Sequence, residues 1–265
     1  MNKIKFVKMH GAGNDFVMID DRDGTFPCEN SAYLEKIGTR GTGIGCEGII
    51  LVQKSETAEF KMRFFNPDGS EADLCGNGAR CVAVFAREIG AAKADRMVFE
   101  TRAGRVDAAI IGPGLVRVLM PDPHGLRDDF VIAGVPHRIV PVDDLERVDV
   151  NGRGSEIRYS AEFAPEGTNV DFVTYSGKHD VEIRTYERGV EAESGACGTG
   201  SVASAVVGVA QHGLEFPVHV RTWGGYDLLI HGEYVDGSFR NITLTGPVER
   251  VFDGSVSLET DVTLC

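Results

Sequence analysis

At 265 residues the chain is long enough for one large or two medium domains, and its 42% hydrophobic content is what a packed core needs, so disorder as its main state is excluded. A net charge of −13, from 40 acidic and 27 basic residues, argues against nucleic acid and anionic membrane surfaces as partners. The first residues lack the apolar region of a secretory signal, and no stretch approaches the roughly 18 apolar residues of a membrane span, so we expect a cytoplasmic protein.

In chain order, the first half consists mainly of short alternating runs bounded by Gly, Pro, Asp or Asn, a pattern that predicts strands. These runs are KIKFVKM, DFVMID, IILVQ, EFKMRFF, RMVFETRAG, RVDAAII and LVRVLM. Two segments have a helical pattern, an amphipathic one near Ser31 to Arg40 and an apolar one from Cys75 to about Ile89. The second half repeats the scheme, with one apolar helical run from Cys197 to about Gln211 among the strands HRIVPV, NVDFVTY, VEIRTYE, VHVRTW and YDLLIHG.

This repetition predicts two similar lobes. We expect residues 1–117 in the first lobe, with 250–265 packing back onto it, and residues 118–249 in the second. Helices that are apolar on every face must be wrapped by other structure. The predicted fold class is therefore α/β (α+β): two pseudo-symmetric lobes, each a curled, mostly antiparallel sheet around one central helix, with the active site in the cleft between them.

Two short motifs are internal copies of each other. CGNGARCVAVFA begins at Cys75 and CGTGSVASAVVG at Cys197, and both read Cys-Gly-x-Gly followed by a small-residue apolar helix. A weaker echo pairs GNDFV at Gly13 with TNVDFV at Thr168, which either reflects the same duplication or is coincidence in β-rich sequence.

A cysteine at the start of a helix has a definite chemical meaning. The glycines allow a tight turn and leave backbone N–H groups uncovered, and the positive end of the helix favours a thiolate over a thiol. Two such cysteines in duplicated lobes, Cys75 and Cys197, predict a pair that faces one substrate from opposite sides. Inversion of an amino-acid α-carbon needs such a pair, because a base removes a proton from one face while an acid returns one to the other.

The α-proton is only weakly acidic, so the carbanion formed on its removal must be stabilised. Many racemases do this with pyridoxal phosphate. No lysine lies inside either glycine motif, and there is no C-x-x-C pair or histidine cluster at metal-ligand spacing, so we expect neither cofactor nor metal. The remaining device is to hold the substrate carboxylate at both helix N-termini, with water excluded. The other cysteines, Cys28, Cys46, Cys81 and Cys265, are interpreted as reduced, small buried hydrophobic residues.

Long ordered segments of the chain closely resemble diaminopimelate epimerases. These segments are KMHGAGNDFV, FFNPDGSEADLCGNGARC, ETRAGRV, EGTNVDFV and RTYERGVEAESGACGTG. The resemblance implies interconversion of LL- and meso-2,6-diaminopimelate, on the route to lysine and peptidoglycan, without metal or organic cofactor and in a homodimer.

The resemblance also assigns individual residues. Cys75 and Cys197 match the acid/base cysteines, and the backbone N–H groups of Gly76, Asn77, Gly198 and Thr199 match those that hold the reacting carboxylate. His137 and Glu187 match residues that adjust the proton affinity of the cysteines. The remaining substrate contacts correspond to Asn14, Asn66, Asn169, Glu187 and Arg188. An arginine can bind the second carboxylate of a diamino diacid in bidentate fashion, while amides and a carboxylate bind its amine.

The chain departs from the family pattern at three positions. Some members have Gln where this chain has Gly48 and Asn where it has Val135, so two amides near the substrate are missing, which bears on amine binding. Gly195 stands where Leu is usual.

Three alternatives remain open. A racemase of the same fold acting on histidine, proline or hydroxyproline is disfavoured by Asn66, Asn169 and Arg188, since a monocarboxylate has no second end for them. A relative of the fold without epimerase activity would normally have lost one cysteine. A thiol redox protein would require a Cys75–Cys197 disulfide, which the sequence neither supports nor excludes.

Overall fold

The structure is a computed structural model that describes residues 3–257. The chain folds into two compact units: one runs through Val118 and takes up the chain again from Val248, and the second spans Leu119–Pro247. Within residues 3–257, no helix is both long and apolar enough to cross a membrane. The predicted fold class is confirmed, because each unit is a mixed, sheet-dominated structure with few helices.

The elements of the first unit alternate short strands with two helices. They are β1 (Lys3–Gly11), β2 (Asn14–Asp20), α1 (Ser31–Gly38), β3 (Gly48–Gln53), β4 (Lys61–Phe65), β5 (Glu71–Ala72), α2 (Gly76–Glu88), β6 (Arg96–Thr101), β7 (Gly104–Gly112) and β8 (Leu115–Leu119). Helix α2 packs against β1, β2, β3 and β7, which makes it the central helix of this unit.

The second unit also combines short strands with two helices. They are β9 (His124–Arg127), β10 (Phe130–Ala133), β11 (Val135–Pro141), α3 (Val150–Arg158), β12 (Asn169–Ser176), β13 (Asp180–Glu187), β14 (Ala192–Ser194), α4 (Gly198–Gln211), β15 (Val218–Thr222), β16 (Asp227–Val235) and β17 (Ser238–Ser257), whose last residues pair with β1 of the first unit's sheet. Helix α4 is wrapped by β10, β11, β12, β13, β15 and β16.

Strand pairing shows that the two units are copies of one topology. In the first unit β1–β2 is antiparallel, β2–β3 parallel, β3–β4 and β4–β5 antiparallel, β4–β6 parallel and β6–β7 antiparallel. The second unit repeats this order from β10–β11 to β15–β16. The duplication that the two Cys-Gly-x-Gly motifs predicted is therefore present in the fold.

The register gives residue equivalences between the units. Phe16 on β2 pairs with Gly48 on β3, as His137 on β11 pairs with Asn169 on β12. The weaker echo was consequently a coincidence: GNDFV begins β2, whose counterpart is β11, whereas TNVDFV leads into β12, whose counterpart is β3.

A repeated ion pair supports these equivalences. Arg63 on β4 donates from Nε and from its terminal nitrogen to both oxygens of Glu71, each at 2.8 Å. At the matching place Arg184 on β13 donates to both oxygens of Glu193, at 2.7 and 2.8 Å. The pairs join β4 to β5 and β13 to β14. The short strands β5 and β14 lead directly to Cys75 and Cys197.

Several elements differ from prediction. Strands β5, β9, β10, β14 and β17 and helix α3 were missed. Helix α3 contains two glycines and little apolar periodicity, and it forms because Asp149 Oδ1 accepts from Gly152 N at 2.9 Å and because the helix packs against β12, β13 and β14. Of the residues expected to pack back onto the first lobe, 258–265 lie outside the described range.

Candidate active site

Both central helices begin directly after a cysteine. Cys75 precedes α2 and Cys197 precedes α4, each with extended backbone at the cap position. The first N–H groups of a helix have no acceptor within it and point outward from its positive end. Each unit therefore holds a sulfur atom beside a set of backbone donors, at the same place in the duplicated topology.

The glycines of the two motifs serve close packing more than tight turning, which differs from the expectation. The backbone of Gly76, Gly78 and Gly200 lies outside the left-handed region. A Cβ on Gly78 would lie 2.7 Å from Ile50 Cδ1, and a Cβ on Gly200 would lie 2.4 Å from Asp171 Oδ1, whereas one on Gly76 would meet nothing within 4 Å. The second glycine of each motif lets the helix approach the strand beneath it.

In the first unit, Cys75 lies beside Asn14. The Cys75 thiol donates to Asn14 Oδ1, with sulfur and oxygen 3.6 Å apart, and the amide nitrogen of Asn14 donates to Glu47. Among the described residues, the side chain of Asn66 donates to Ser70 Oγ at 3.0 Å and to no member of the predicted site. The structure thus brings Asn14 to Cys75 and places Asn66 in a turn at the end of β4.

A buried cation lies under the start of α2. The Arg80 side chain is fully buried and turns back to donate to Asn77 Oδ1 at 2.7 Å and to the Gly76 carbonyl at 3.3 Å. Among the described residues it forms no ion pair, and its Nε–H has no acceptor. Burial lowers the pKa of Arg80, while the charges of Cys81 and Cys75 act in the opposite sense. The equivalent residue in α4 is the apolar Val202.

In the second unit, Cys197 is buried and held by two hydrogen bonds. Its sulfur accepts from Gly200 N at 3.3 Å and lies 3.4 Å from Thr199 Oγ1. Burial, with the negative charges of Glu187 and Asp171, nevertheless raises the pKa of the Cys197 thiol well above its ordinary value. The helix end was expected to favour the thiolate, but burial and the two carboxylates outweigh it.

Behind Cys197 lies a network of buried polar side chains. His137 Nδ1 is 2.6 Å from Asp171 Oδ2, and the Thr185 hydroxyl donates to Asp171 Oδ1 at 2.7 Å. The amide of Asn169 lies 3.4 Å from His137 Nε2 and accepts from the backbone N–H of Arg188 at 2.6 Å. These hydrogen bonds join His137, Asn169 and Arg188 in one network.

Sequence reasoning missed Asp171, Thr185 and Arg80. A carboxylate in the apolar run NVDFVTY and an arginine in the apolar helix after Cys75 were the available signals, since charged residues in such runs are rarely buried without a partner.

The terminal guanidinium of Arg188 donates to the Glu166 carbonyl at 3.3 Å, so Arg188 lies at the edge of the polar network behind Cys197.

The two missing amides fall at internally equivalent positions. Val135 is the counterpart of Asn14, and Gly48 is the counterpart of Asn169, so one amide remains at each pair of positions, Asn14 in the first unit and Asn169 in the second. A Cβ on Gly48 would lie 2.3 Å from the Phe64 ring, which fills the space that a side chain would need.

The other described cysteines are free thiols. Cys46 and Cys81 are buried, and Cys28 is half-buried with its sulfur 2.9 Å from an Arg63 nitrogen, whereas Cys265 lies outside the described residues. Residues 3–257 contain no group of three or more His, Cys, Asp or Glu side chains arranged to hold a metal ion.

Comparisons with known proteins agree on one family. The family model described as diaminopimelate epimerase matches residues 6–124 and 130–251. A diaminopimelate epimerase of Aquifex aeolicus is 40% identical over 97% of this chain and 99% of its own length, and one of Methanocella arvoryzae is 38% identical over 98% and 99%.

Solved structures agree on the fold. A Bacillus anthracis phenazine biosynthesis protein of the PhzF family has a TM-score of 0.74 at 18% identity, covering 97% of this chain and 100% of that one. A probable proline racemase from Agrobacterium radiobacter has a TM-score of 0.69 at 18% identity, covering 97% and 93%.

Proposed function

Because the chain belongs to the diaminopimelate epimerase family, we propose that it interconverts LL- and meso-2,6-diaminopimelate, without organic cofactor or metal, by proton exchange through Cys75 and Cys197. The observation that supports this role most directly is the duplicated placement of the two cysteines. Each stands at the start of the central helix of its unit, next to backbone donors suited to a carboxylate.

The proposed chemistry is a two-base inversion. One cysteine, as thiolate, takes the α-proton from one face of the carbon, and the other, as thiol, delivers a proton to the opposite face. The raised pKa of Cys197 favours its thiol form before substrate binds. Cys197 is then the acid in the direction in which Cys75 is the base, and the roles exchange in the reverse direction.

The reacting carboxylate is assigned to the helix starts. Its negative charge grows as the α-proton leaves, and the N–H groups of Gly76, Asn77, Gly198 and Thr199 stabilise that charge without having to reorganise. Exclusion of water is required, because a single exposed helix end contributes only about 0.3–1 kcal/mol.

The unreactive end of the substrate is assigned to the polar side chains around these helices. Arg188 pairs with the distal carboxylate, and the amides of Asn14, Asn66 and Asn169, with Glu187, bind the amine. Glu187 also acts on Cys197 through its charge. His137 is assigned the same kind of role, that of adjusting the proton affinity of the cysteines. A homodimer in the cytoplasm completes the proposal.

The decisive experiment follows the reaction in deuterated water. Purified, reduced protein is incubated with LL-diaminopimelate and no added cofactor, and isomer formation and α-deuteration are measured. We expect both. Folded protein that produces neither would overturn the proposal, and equal inversion of proline would favour a racemase of another substrate.

Variants test the cysteine pair. Cys75→Ala and Cys197→Ala should each lower kcat at least about a hundredfold, because each removes one proton-transfer group. Cys28→Ala is the matched control and should retain near-normal activity, because Cys28 is not at the start of either central helix and its sulfur contacts Arg63. A Cys75→Ala protein with full activity would contradict the two-base mechanism.

A further inference from the structure

The internal duplication isolates a group of buried polar residues that only one unit has. Because β2, β3 and β4 correspond to β11, β12 and β13, three residues of the first unit are equivalent to three of the second. The three in the first unit are Phe16, Ile50 and Phe64, and those in the second are His137, Asp171 and Thr185. All six are buried, and Ile50, Asp171 and Thr185 lie against the glycine in the first turn of their central helix.

In the first unit these positions are filled by ordinary apolar packing. The rings of Phe16 and Phe64 meet edge to face with centroids 6.2 Å apart, and Ile50 lies against Gly78 of α2. The fold therefore supports a central helix without any polar side chain at these positions. Buried ionic groups seldom stabilise a protein more than apolar residues of similar volume do, so the polar set of the second unit points to function.

The set also makes room for Asn169. In the first unit the ring of Phe64 excludes any side chain at Gly48, whereas in the second unit the smaller Thr185 stands at the position of Phe64 and Asn169 at that of Gly48. An amide side chain can therefore enter the second unit at a place where the first unit has none.

Hydrogen-bond directions in the network follow from one donor whose identity is certain. The backbone N–H of Arg188 donates to Asn169 at 2.6 Å, so the accepting atom is the amide oxygen. The amide nitrogen of Asn169 then faces His137 Nε2, which must accept and therefore lacks a proton. The ring proton of His137 is on Nδ1, where it is donated to Asp171.

We propose that Asp171, assisted by Thr185, is a positioning residue that fixes the Nδ1–H tautomer of His137 and, through it, the orientation of the Asn169 amide. This role rests on the proposed function, because Asn169 and the following contact, Arg188, are the groups assigned to the unreactive end of the substrate. Asp171 touches neither end of that substrate in the proposal. Its positioning role acts through His137 and Asn169 and is separate from the effect of its charge on Cys197.

The tautomer can be observed directly. In protein labelled with ¹⁵N-histidine, long-range ¹H–¹⁵N spectra separate protonated from unprotonated ring nitrogens, and a His137→Gln variant identifies the His137 signals. We expect Nδ1 protonated and Nε2 unprotonated at neutral pH, the minor tautomer of free imidazole. A wild-type spectrum with a proton on Nε2, as the other tautomer or as imidazolium, would overturn the proposal.

Variants test whether Asp171 sets the tautomer and whether the tautomer matters. Asp171→Asn should shift the His137 proton toward Nε2 and raise the KM for diaminopimelate about five- to tenfold. It also removes a negative charge that raises the pKa of Cys197, so kcat changes for a separate reason and the KM is the readout of positioning. Thr185→Val should shift the His137 proton and the KM in the same directions, but by less. Asp180→Asn, which removes an exposed carboxylate from the same strand β13, is the control and should change neither.

Other outcomes are decisive as well. An unchanged tautomer in folded Asp171→Asn, or a changed tautomer with an unchanged KM, would refute the positioning role. If Asp171→Asn does not fold, the wild-type spectrum and Thr185→Val still decide. A wild type that fails to epimerise diaminopimelate counts against the proposed function alone, because the histidine spectrum still settles the tautomer.

Discussion

Cys75 and Cys197 occupy equivalent positions but have opposite electrostatic surroundings. The buried guanidinium of Arg80 lies under the helix that follows Cys75, whereas two carboxylates, those of Asp171 and Glu187, act on Cys197. A two-base enzyme needs one thiolate and one thiol at the same time, and coupled groups of this kind titrate as a pair. The unequal charges provide a physical reason for the two sulfurs to differ before substrate arrives.

The charge of Arg80 should be measurable in the reactivity of Cys75. Arg80→Met keeps an unbranched side chain but removes the cation, so the thiolate of Cys75 loses an attractive charge in a region of low dielectric. We expect alkylation of Cys75 by iodoacetamide at neutral pH to slow about tenfold. The rate is measured by mass spectrometry of the Cys75 peptide.

Arg80→Lys is the matched control, because it retains the positive charge and should retain most of the rate. Equal rates in Arg80→Met and the wild type would show that the buried cation does not govern the reactivity of Cys75.

At the scale of elements, the first turns of α2 and α4 depend on glycine for different reasons. A Cβ at position 200 would lie 2.4 Å from Asp171 Oδ1, whereas a Cβ at position 76 meets nothing within 4 Å. Glycine is thus a packing requirement at Gly200 and an open position at Gly76.

Two alanine substitutions test this difference. Gly200→Ala should reduce the free energy of unfolding by about 1–3 kcal/mol, because the helix start must move away from the strand beneath it. Gly76→Ala should change it by less than about 1 kcal/mol. Chemical denaturation measures both, and similar effects of the two substitutions would contradict the close packing at Gly200.

At the scale of the whole molecule, the Arg63–Glu71 pair makes stability depend on pH. The hydrogen bond from Arg63 holds the pKa of Glu71 below its ordinary value of 4.5. A carboxylate with a depressed pKa stabilises the folded state at pH values above its unfolded pKa, and this stabilisation is lost as pH falls through its folded pKa. The contribution of Glu71 is therefore complete at neutral pH and disappears in acid.

Glu71→Gln should accordingly reduce the free energy of unfolding by about 1–3 kcal/mol at pH 7, with the penalty shrinking as pH falls from about 5 toward 3. Urea denaturation across this pH range measures the effect. Glu29→Gln is the control, because Glu29 is 3.4 Å from the same arginine but 87% exposed, and should change stability by less than about 1 kcal/mol. A penalty for Glu71→Gln that does not vary with pH would exclude the ion pair as its origin.

The sequence by itself determined the strand-rich fold class, the two helices that start at Cys75 and Cys197, the duplication and the family. These features depend on local patterns: alternation of apolar residues, a glycine motif at a helix start, and long runs of sequence shared with relatives. Helix α3 escaped prediction because its stability comes from packing and a capping aspartate more than from periodicity.

Only the tertiary structure decided which residues surround each cysteine. His137, Asp171 and Thr185 lie on three different strands, and their hydrogen bonds exist because strand register aligns β11, β12 and β13 under α4. Register also separated the true internal equivalents from the coincidental echo of GNDFV and TNVDFV. Pairing between distant segments is set by the packing of whole sheets, which no short stretch of sequence specifies.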